Sequence, residues 1–243
     1  MNDYAPGMSF DGDAAAEFED VLRGDEAATV AFLEGLARGG PALELGIGTG
    51  RVALPLAARG VRVDGIDFSP SMVARLRAKP GGDRIAVTMG DFAEAAVPGR
   101  YRLVYLVFNT LFNLLTQDAQ VRCFANAAAR LEEGGVFVVE AFVPSWLHRL
   151  PDGHYVEAEA VEAGSVTLDC GRHDPVAQRL DENHVVLSPE GTRLFPVVCR
   201  YAWPSELDLM ARMAGLSLRE RWGGWAREPF TAGSRNCISV YGR

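Results

Sequence analysis

Between residues 41 and 142 short apolar runs alternate with helical segments, and this alternation constrains the fold more than any other feature of the chain. Runs at 42–45, 61–66, 85–89, 103–108 and 136–142 have strand length and mostly lack a polar side. Strands covered on both faces and separated by helices describe a parallel sheet between two helical layers. The intervening segments have helical spacing. Residues 51–58 end at Gly60, residues 70–78 start with proline behind a capping Ser69, and residues 117–131 have one apolar face. Upstream, 13–23 and 26–38 read as helices, the second stopped by Gly39 and Gly40.

The texture changes after Pro144. From about 156 to 201 polar and apolar residues alternate, with turn signals at Asp174-Pro175 and at 188–191. Two or three antiparallel strands are expected there, too few to hold a core alone. A helix over 205–214, capped by Ser205 and ended by Gly215, and strands at 216–222 and 237–241 close the chain. The expectation is one α/β domain over 1–243. Its parts are N-terminal helices (1–40), a sheet core (41–145), a β insertion (150–203) and a closing helix with strands (204–243).

The segment Glu44-Leu45-Gly46-Ile47-Gly48-Thr49-Gly50-Arg51 follows the first strand and opens a helix. Glycines at alternate positions let the backbone turn sharply and approach a ligand where a side chain would collide. Glu44 is an acid inside an apolar strand. Asp67 ends the next strand, 17 residues after Gly50, where a carboxylate can accept both hydroxyls of a ribose. A dinucleotide fingerprint needs a glycine at the sixth position, which here is Arg51. That placement, and the absence of a Tyr-x-x-x-Lys pair, weigh against the NAD(P)-dependent oxidoreductase alternative. No Gly-Lys-Ser/Thr follows the glycines, so a phosphate-cradling P-loop is excluded.

These motifs resemble the class I S-adenosylmethionine-dependent methyltransferases, a Rossmann-like family whose sheet is mostly parallel with an antiparallel last strand. The similarity is to its small-molecule branch with an antiparallel β insertion, which includes sugar N-methyltransferases and glycine N-methyltransferase-like enzymes. Three motifs carry it: the acid and Gly-x-Gly-x-Gly of Glu44 to Gly50, Asp67 within 65–72, and Gly90-Asp91-Phe92 after the third strand. The resemblance implies S-adenosylmethionine as cofactor, with Glu44, Gly46, Gly48 and Gly50 around its methionine part. It places Asp67 on the ribose, Phe68 and Met72 against sugar and adenine, and Asp91 with Phe92 at the adenine edge. Phe108 and Asn109 would face the transferred methyl group. A Met in a helix, a Phe in a loop and an Asp before a turn also have structural uses, as core, anchor and cap. A non-catalytic module that keeps the cofactor as a ligand is a second alternative.

For catalysis the candidates are His148, Asn113 and Glu140. His148 is the first choice as a base, and Glu140 the second. In related deoxyamino-sugar methyltransferases a histidine often sits where Asn113 falls, and asparagine cannot take up a proton. The insertion adds His173, His184, Arg200 and Tyr201, with Trp203 beside them, and Trp222 and Trp225 could form an aromatic wall. No histidine pair with a carboxylate stands at ligand spacing, so no metal is expected.

The formal net charge of −8 opposes a nucleic-acid backbone. The Asn/Asp-Pro-Pro-aromatic motif used on flipped bases is also missing. No apolar run approaches the roughly 20 residues a bilayer needs, and the first residues show no secretory pattern. Cys123, Cys170, Cys199 and Cys237 form no C-x-x-C pair and are expected as reduced thiols. The expected protein is cytoplasmic and methylates N, O or C of a small-molecule metabolite of bacterial type. It has no nucleic-acid or membrane partner, and monomer or homodimer is left open.

Overall fold

A computed structural model describes residues 4, 7–10, 12 and 26–243, so the helix expected at 13–23 lies outside the described residues. In chain order the elements are α1 (Glu26–Ala37), β1 (Ala42–Leu45), α2 (Ala53–Ala58), β2 (Val63–Asp67), α3 (Pro70–Ala78), β3 (Ala86–Met89), β4 (Tyr101–Leu106), α4 (Gln117–Arg130) and β5 (Leu131–Phe142). Then come β6 (His154–Val161), β7 (Val166–Asp174), β8 (Arg179–Ser188), β9 (Gly191–Arg200), α5 (Pro204–Met213), β10 (Ser217–Trp222) and β11 (Asn236–Gly242).

Seven strands form one sheet in the order β10-β11-β5-β4-β1-β2-β3. β1 runs parallel to β2 and β4, and β11 enters antiparallel beside β5. All four residues of β1 are buried, as a central strand covered on both faces requires. On one face Val30 and Leu33 of α1, Leu56 of α2 and Leu76 of α3 pack with Ala42, Val63 and Tyr105. On the other, Phe124 of α4 and Leu207 and Met210 of α5 pack with Leu43, Leu45 and Phe137. Phe124 meets Phe137 and Tyr241 edge-on at 5.1 and 5.8 Å. Truncating such a ring costs about 3–5 kcal/mol. This sheet, with its antiparallel last strand, is the Rossmann-like arrangement anticipated from the sequence.

The cap expected at Ser69 forms, since its hydroxyl accepts from the Met72 N–H. Two expectations need correction. The last helix starts at Pro204 rather than Ser205, and Glu206 reaches back to accept from the Trp203 N–H at 2.8 Å. Proline at the first helical position fixes that start. The region after Pro144 holds four antiparallel strands, in the order β6-β7-β8-β9, rather than two or three. β6 escaped notice because seven of its eight residues are exposed, so its burial carries no alternating pattern.

The second sheet has little core of its own, a pair formed by Val186 and Phe195. It leans on the main core through Leu180, Val197 and Cys199. Gln120 of α4 ties the two bodies together, donating to the carbonyls of Leu114 and Arg200. Near the N-terminus, the Ser9 hydroxyl donates to the Pro196 carbonyl, and the Ser69 hydroxyl donates to that of Phe10. All four cysteines are free thiols. Among the described residues no helix is long and apolar enough to cross a membrane.

Candidate active site

The carboxyl ends of β1, β2 and β4 open onto a cleft of about 470 Å³, lined by Glu44, the glycine turn, Arg51, Met72 and Phe108. Gly46, Gly48 and Gly50 have φ of 73°, 54° and 78°, a region that L side chains rarely adopt. A Cβ on Gly46 would stand 2.6 Å from Thr110 Cγ2, whereas one on Gly48 would meet nothing within 4 Å. The turn therefore presses against β4's loop on one side and presents bare backbone to the cleft on the other.

Asp67 holds that turn from the next strand. Its Oδ2 accepts from the Gly48 N–H at 2.7 Å and its Oδ1 from the Ser69 N–H at 2.8 Å. Glu44 is 2% exposed and accepts from the Tyr105 hydroxyl at 2.9 Å. Burial pushes it up to about 8, against the opposing pull of that hydrogen bond and of Arg51. The ionised form of an acid held there is a receptor for positive charge. Bare glycine backbone, an anchored carboxylate and a buried acid beside one cleft fit an adenosyl sulfonium amino acid.

The other cofactor candidates separate. Met72 is buried and lines the cleft. Phe68 is 36% exposed and stands edge-on to Phe10 at 6.1 Å. Asp91 caps a turn, accepting from the Ala93 N–H at 2.8 Å. Phe92 is buried in the main core, and its carbonyl accepts from Asn126.

Phe108 and Asn109 are consecutive non-glycine residues with positive φ, 52° and 61°. Such strain costs about 1–3 kcal/mol per residue and persists only where neighbours impose it. Here Glu140 accepts from the Phe108 N–H at 2.6 Å, and Asn109 Oδ1 accepts from the Phe142 N–H at 2.6 Å. Glu140 also accepts from Trp225 Nε1 at 2.9 Å, and burial raises its pKa. Trp225 packs edge-on to Phe32, and Trp222 lies under the Arg227 guanidinium.

The strained turn stands between two spaces. Phe10, Phe108 and Thr110 line both the glycine cleft and a second chamber of about 350 Å³. Asn109, Asn113, Phe142 and Trp146 form one wall of the chamber. The opposite wall is the inner face of the second sheet, which presents every other residue of β7 and β8: Thr167 and Asp169, then Leu180, Glu182 and His184. Glu159 of β6 joins them and accepts from His184 Nδ1 at 2.9 Å if that nitrogen carries its proton.

His148 lines neither space. It lies on a short 3-10 helix, Pro144–Arg149, with its Nε2 at 3.1 Å from the Tyr201 hydroxyl. His173 reaches the same hydroxyl at 2.9 Å, and burial lowers its pKa. Asn113 and the Asn109 turn thus meet at the chamber, while His148 is separate and Glu140 stands behind the turn. The acids of the insertion were missed. Their signal was the pairs 167/169 and 182/184, polar residues at a spacing of two within strands.

Residues 42–135 match the methyltransferase domain family. The CcbJ methyltransferase from Streptomyces caelestis is 41% identical, with 98% of each chain covered and a TM-score of 0.92. The cypemycin N-terminal methyltransferase from Streptomyces sp is 28% identical over 83% of this chain and 82% of that protein. CalS10 from Micromonospora echinaspora, an amino pentose methyltransferase solved with its cofactor bound, is 26% identical over 94% and 95% of the chains, with a TM-score of 0.69. The family match and these relatives define an enzyme that uses S-adenosylmethionine. The chain belongs to the class I S-adenosylmethionine-dependent methyltransferases.

Proposed function

We propose that the enzyme methylates the nitrogen of a small amine acceptor held in the chamber. The observation that carries this reading is the acidic wall: Glu159, Asp169 and Glu182 face a space that joins the cofactor cleft at Phe108 and Thr110. Carboxyls gathered on the wall of an enclosed space attract an ammonium group and penalise an anion. The volume of about 350 Å³ suits a monosaccharide or the end residue of a peptide, not a nucleic-acid segment. Two similar proteins are named for such acceptors, a peptide N-terminus and an amino pentose.

The bound cofactor supplies a methyl group on a positively charged sulfur that leaves as a neutral thioether. The chain's own work is alignment and exclusion of water. In this reading Glu44, the glycines at 46, 48 and 50, Asp67, Phe68 and Met72 hold the cofactor, and Asp91 with Phe92 shapes its adenine end. Phe108, fixed by Glu140 and the Asn109 turn, sets the boundary across which the methyl moves, and Asn113 orients the acceptor. Orientation of this kind supplies about 7–11 kcal/mol of a barrier. The test is incubation of the purified enzyme with S-adenosylmethionine and a panel of alanyl-alanine, an aminopentoside and the matching hydroxy compounds. Mass spectrometry should find methyl on nitrogen. Methylation confined to the hydroxy compounds would remove the reading.

A further inference from the structure

Three polar groups on the inner face of the second sheet, Tyr155, Asp169 and Glu182, meet at one phenol oxygen. Tyr155 pairs across the ladder with Gly171, and Gly171 pairs in turn with Glu182. A Cβ on Gly171 would collide with the Tyr155 ring. The bare position is therefore a seat for that ring. From it the phenol reaches Asp169 Oδ2 at 3.0 Å and lies closer still to Glu182 Oε1. A phenol carries one proton and an ionised carboxyl none. One O–H cannot serve two carboxylates, whereas a second proton on one of the carboxyls would complete both contacts.

Two further observations agree. Asp169 Oδ1 is, among the described residues, the one buried side-chain oxygen or nitrogen without a hydrogen-bond partner. Leaving an ionised oxygen in that state costs far more than leaving a neutral one. Burial also pushes Glu182 up to about 7, helped by the charge of Asp169, and burial raises Asp169 as well. Among the described residues no three His, Cys, Asp or Glu side chains converge as ligands of one ion.

We propose that Asp169, Tyr155 and Glu182 form a proton-sharing triad in the wall of the acceptor chamber, with Glu182 as the catalytic residue that takes the proton of an ammonium acceptor. This rests on the amine reading above. Without acceptor the triad keeps one extra proton. An entering ammonium, R–NH3+, brings its own charge, and the extra proton leaves to solvent. Glu182 then takes one proton from the ammonium, which restores the shared-proton state and frees the nitrogen lone pair. The C–N bond forms as the S–CH3 bond breaks, and its electron pair stays on sulfur. The product is R–NH2+–CH3. Asp169 and Tyr155 are positioning residues that set the proton affinity of Glu182. Asn113, which has no base to offer, then needs none.

The groups facing Glu182 are Tyr155 and Glu159 of β6, Asp169 of β7, His184 of its own strand and Cys199 of β9; Glu157 acts on Asp169. The test is infrared spectroscopy of the enzyme loaded with S-adenosylhomocysteine, titrated through about pH 7, for wild type, Glu182→Gln, Tyr155→Phe and Gly171→Ala. Ordinary carboxyls ionise near about 4.3. The expected result is a protonated-carboxyl band that survives to about pH 7 in wild type and is lost in Glu182→Gln. Tyr155→Phe and Gly171→Ala should shift its midpoint. With an amine that wild type methylates, Glu182→Gln should lose about 10²–10⁴ in kcat and the acid limb of its pH profile. Its affinity for S-adenosylhomocysteine should stay within about twofold of wild type, because Glu182 lies outside the cofactor cleft. Absence of the band near neutral pH, or wild-type kcat in Glu182→Gln, overturns the triad. An intact band in an enzyme that methylates only hydroxy compounds upholds the shared proton and overturns the amine reading instead.

Discussion

The two halves of the site are built from different material. The cofactor cleft is mostly backbone: a glycine turn held by Asp67 within a span of 24 residues, Glu44 to Asp67. The chamber is mostly side chain, drawn from four strands of a second sheet and from the turn at Phe108. A donor that is the same in every reaction can be met by fixed main-chain geometry. An acceptor that differs between enzymes is met by residues that change without disturbing a fold. Gly46→Val should do the most damage to the cofactor cleft. The new side chain would need φ near 73° and the space of Thr110 Cγ2, at about 3 kcal/mol or more. Cofactor affinity measured by calorimetry should fall at least about hundredfold, with the melting temperature as control for folding. Unchanged affinity would show that the turn does not touch the cofactor.

Asp67→Ala comes next. Its carboxyl anchors two backbone N–H groups besides its proposed ribose contact, so cofactor affinity should fall by about 1–3 kcal/mol and thermal stability should fall with it. Lost stability with intact affinity would reduce Asp67 to a brace.

How much of this was legible follows the same divide. The parallel sheet, the Ser69 cap and the glycine turn were plain because each is a local pattern. Glycine spacing, a cap and an apolar run are properties of neighbours in sequence. The chamber was not plain. Asp169 and Glu182 meet only because β7 and β8 pair in one register, with Gly171 opposite Glu182. The space that admits the Tyr155 ring depends on a glycine that resembles any other in the sequence. His148 drew notice because histidine is the usual neutral-pH base, but position in the chain did not show which side of a short helix it takes. Glu140 was visible as an acid at the end of a strand, while its bonds to the Phe108 N–H and Trp225 required the fold.

A smaller effect separates the two sites by pH. Glu44 in the folded enzyme ionises only near about 8, far above an ordinary glutamate. Its proton therefore stabilises the empty fold at low pH, and that contribution is lost as pH rises through about 8. The ionised form is the one a cation prefers. Melting temperature of the empty enzyme should thus decline as pH rises from about 4.5 and level off above about 8, while affinity for S-adenosylmethionine rises by up to about tenfold between neutral pH and about 8. S-adenosylhomocysteine lacks the sulfonium charge and should show a shallower rise. In Glu44→Gln both slopes should flatten. Equal slopes for the two ligands would mean that Glu44 does not sense the sulfur.

The smallest effects set Asn113 against His148. Asn113 lines the chamber and no part of the cofactor cleft. Asn113→Ala should therefore raise KM or lower kcat for an amine by about fivefold to tenfold, one hydrogen bond, and leave cofactor affinity alone. His148 touches Tyr201, His173 and Trp203, and lines neither space. His148→Ala should cost about 1 kcal/mol of stability through its lost bond to Tyr201, and kcat/KM should move by no more than about twofold at any pH. A loss of the acid limb in His148→Ala, with Glu182→Gln unaffected, would move the base from the second sheet to the short helix. The pH profile makes the distinction, since a structural defect lowers the whole curve whereas loss of a base changes its shape.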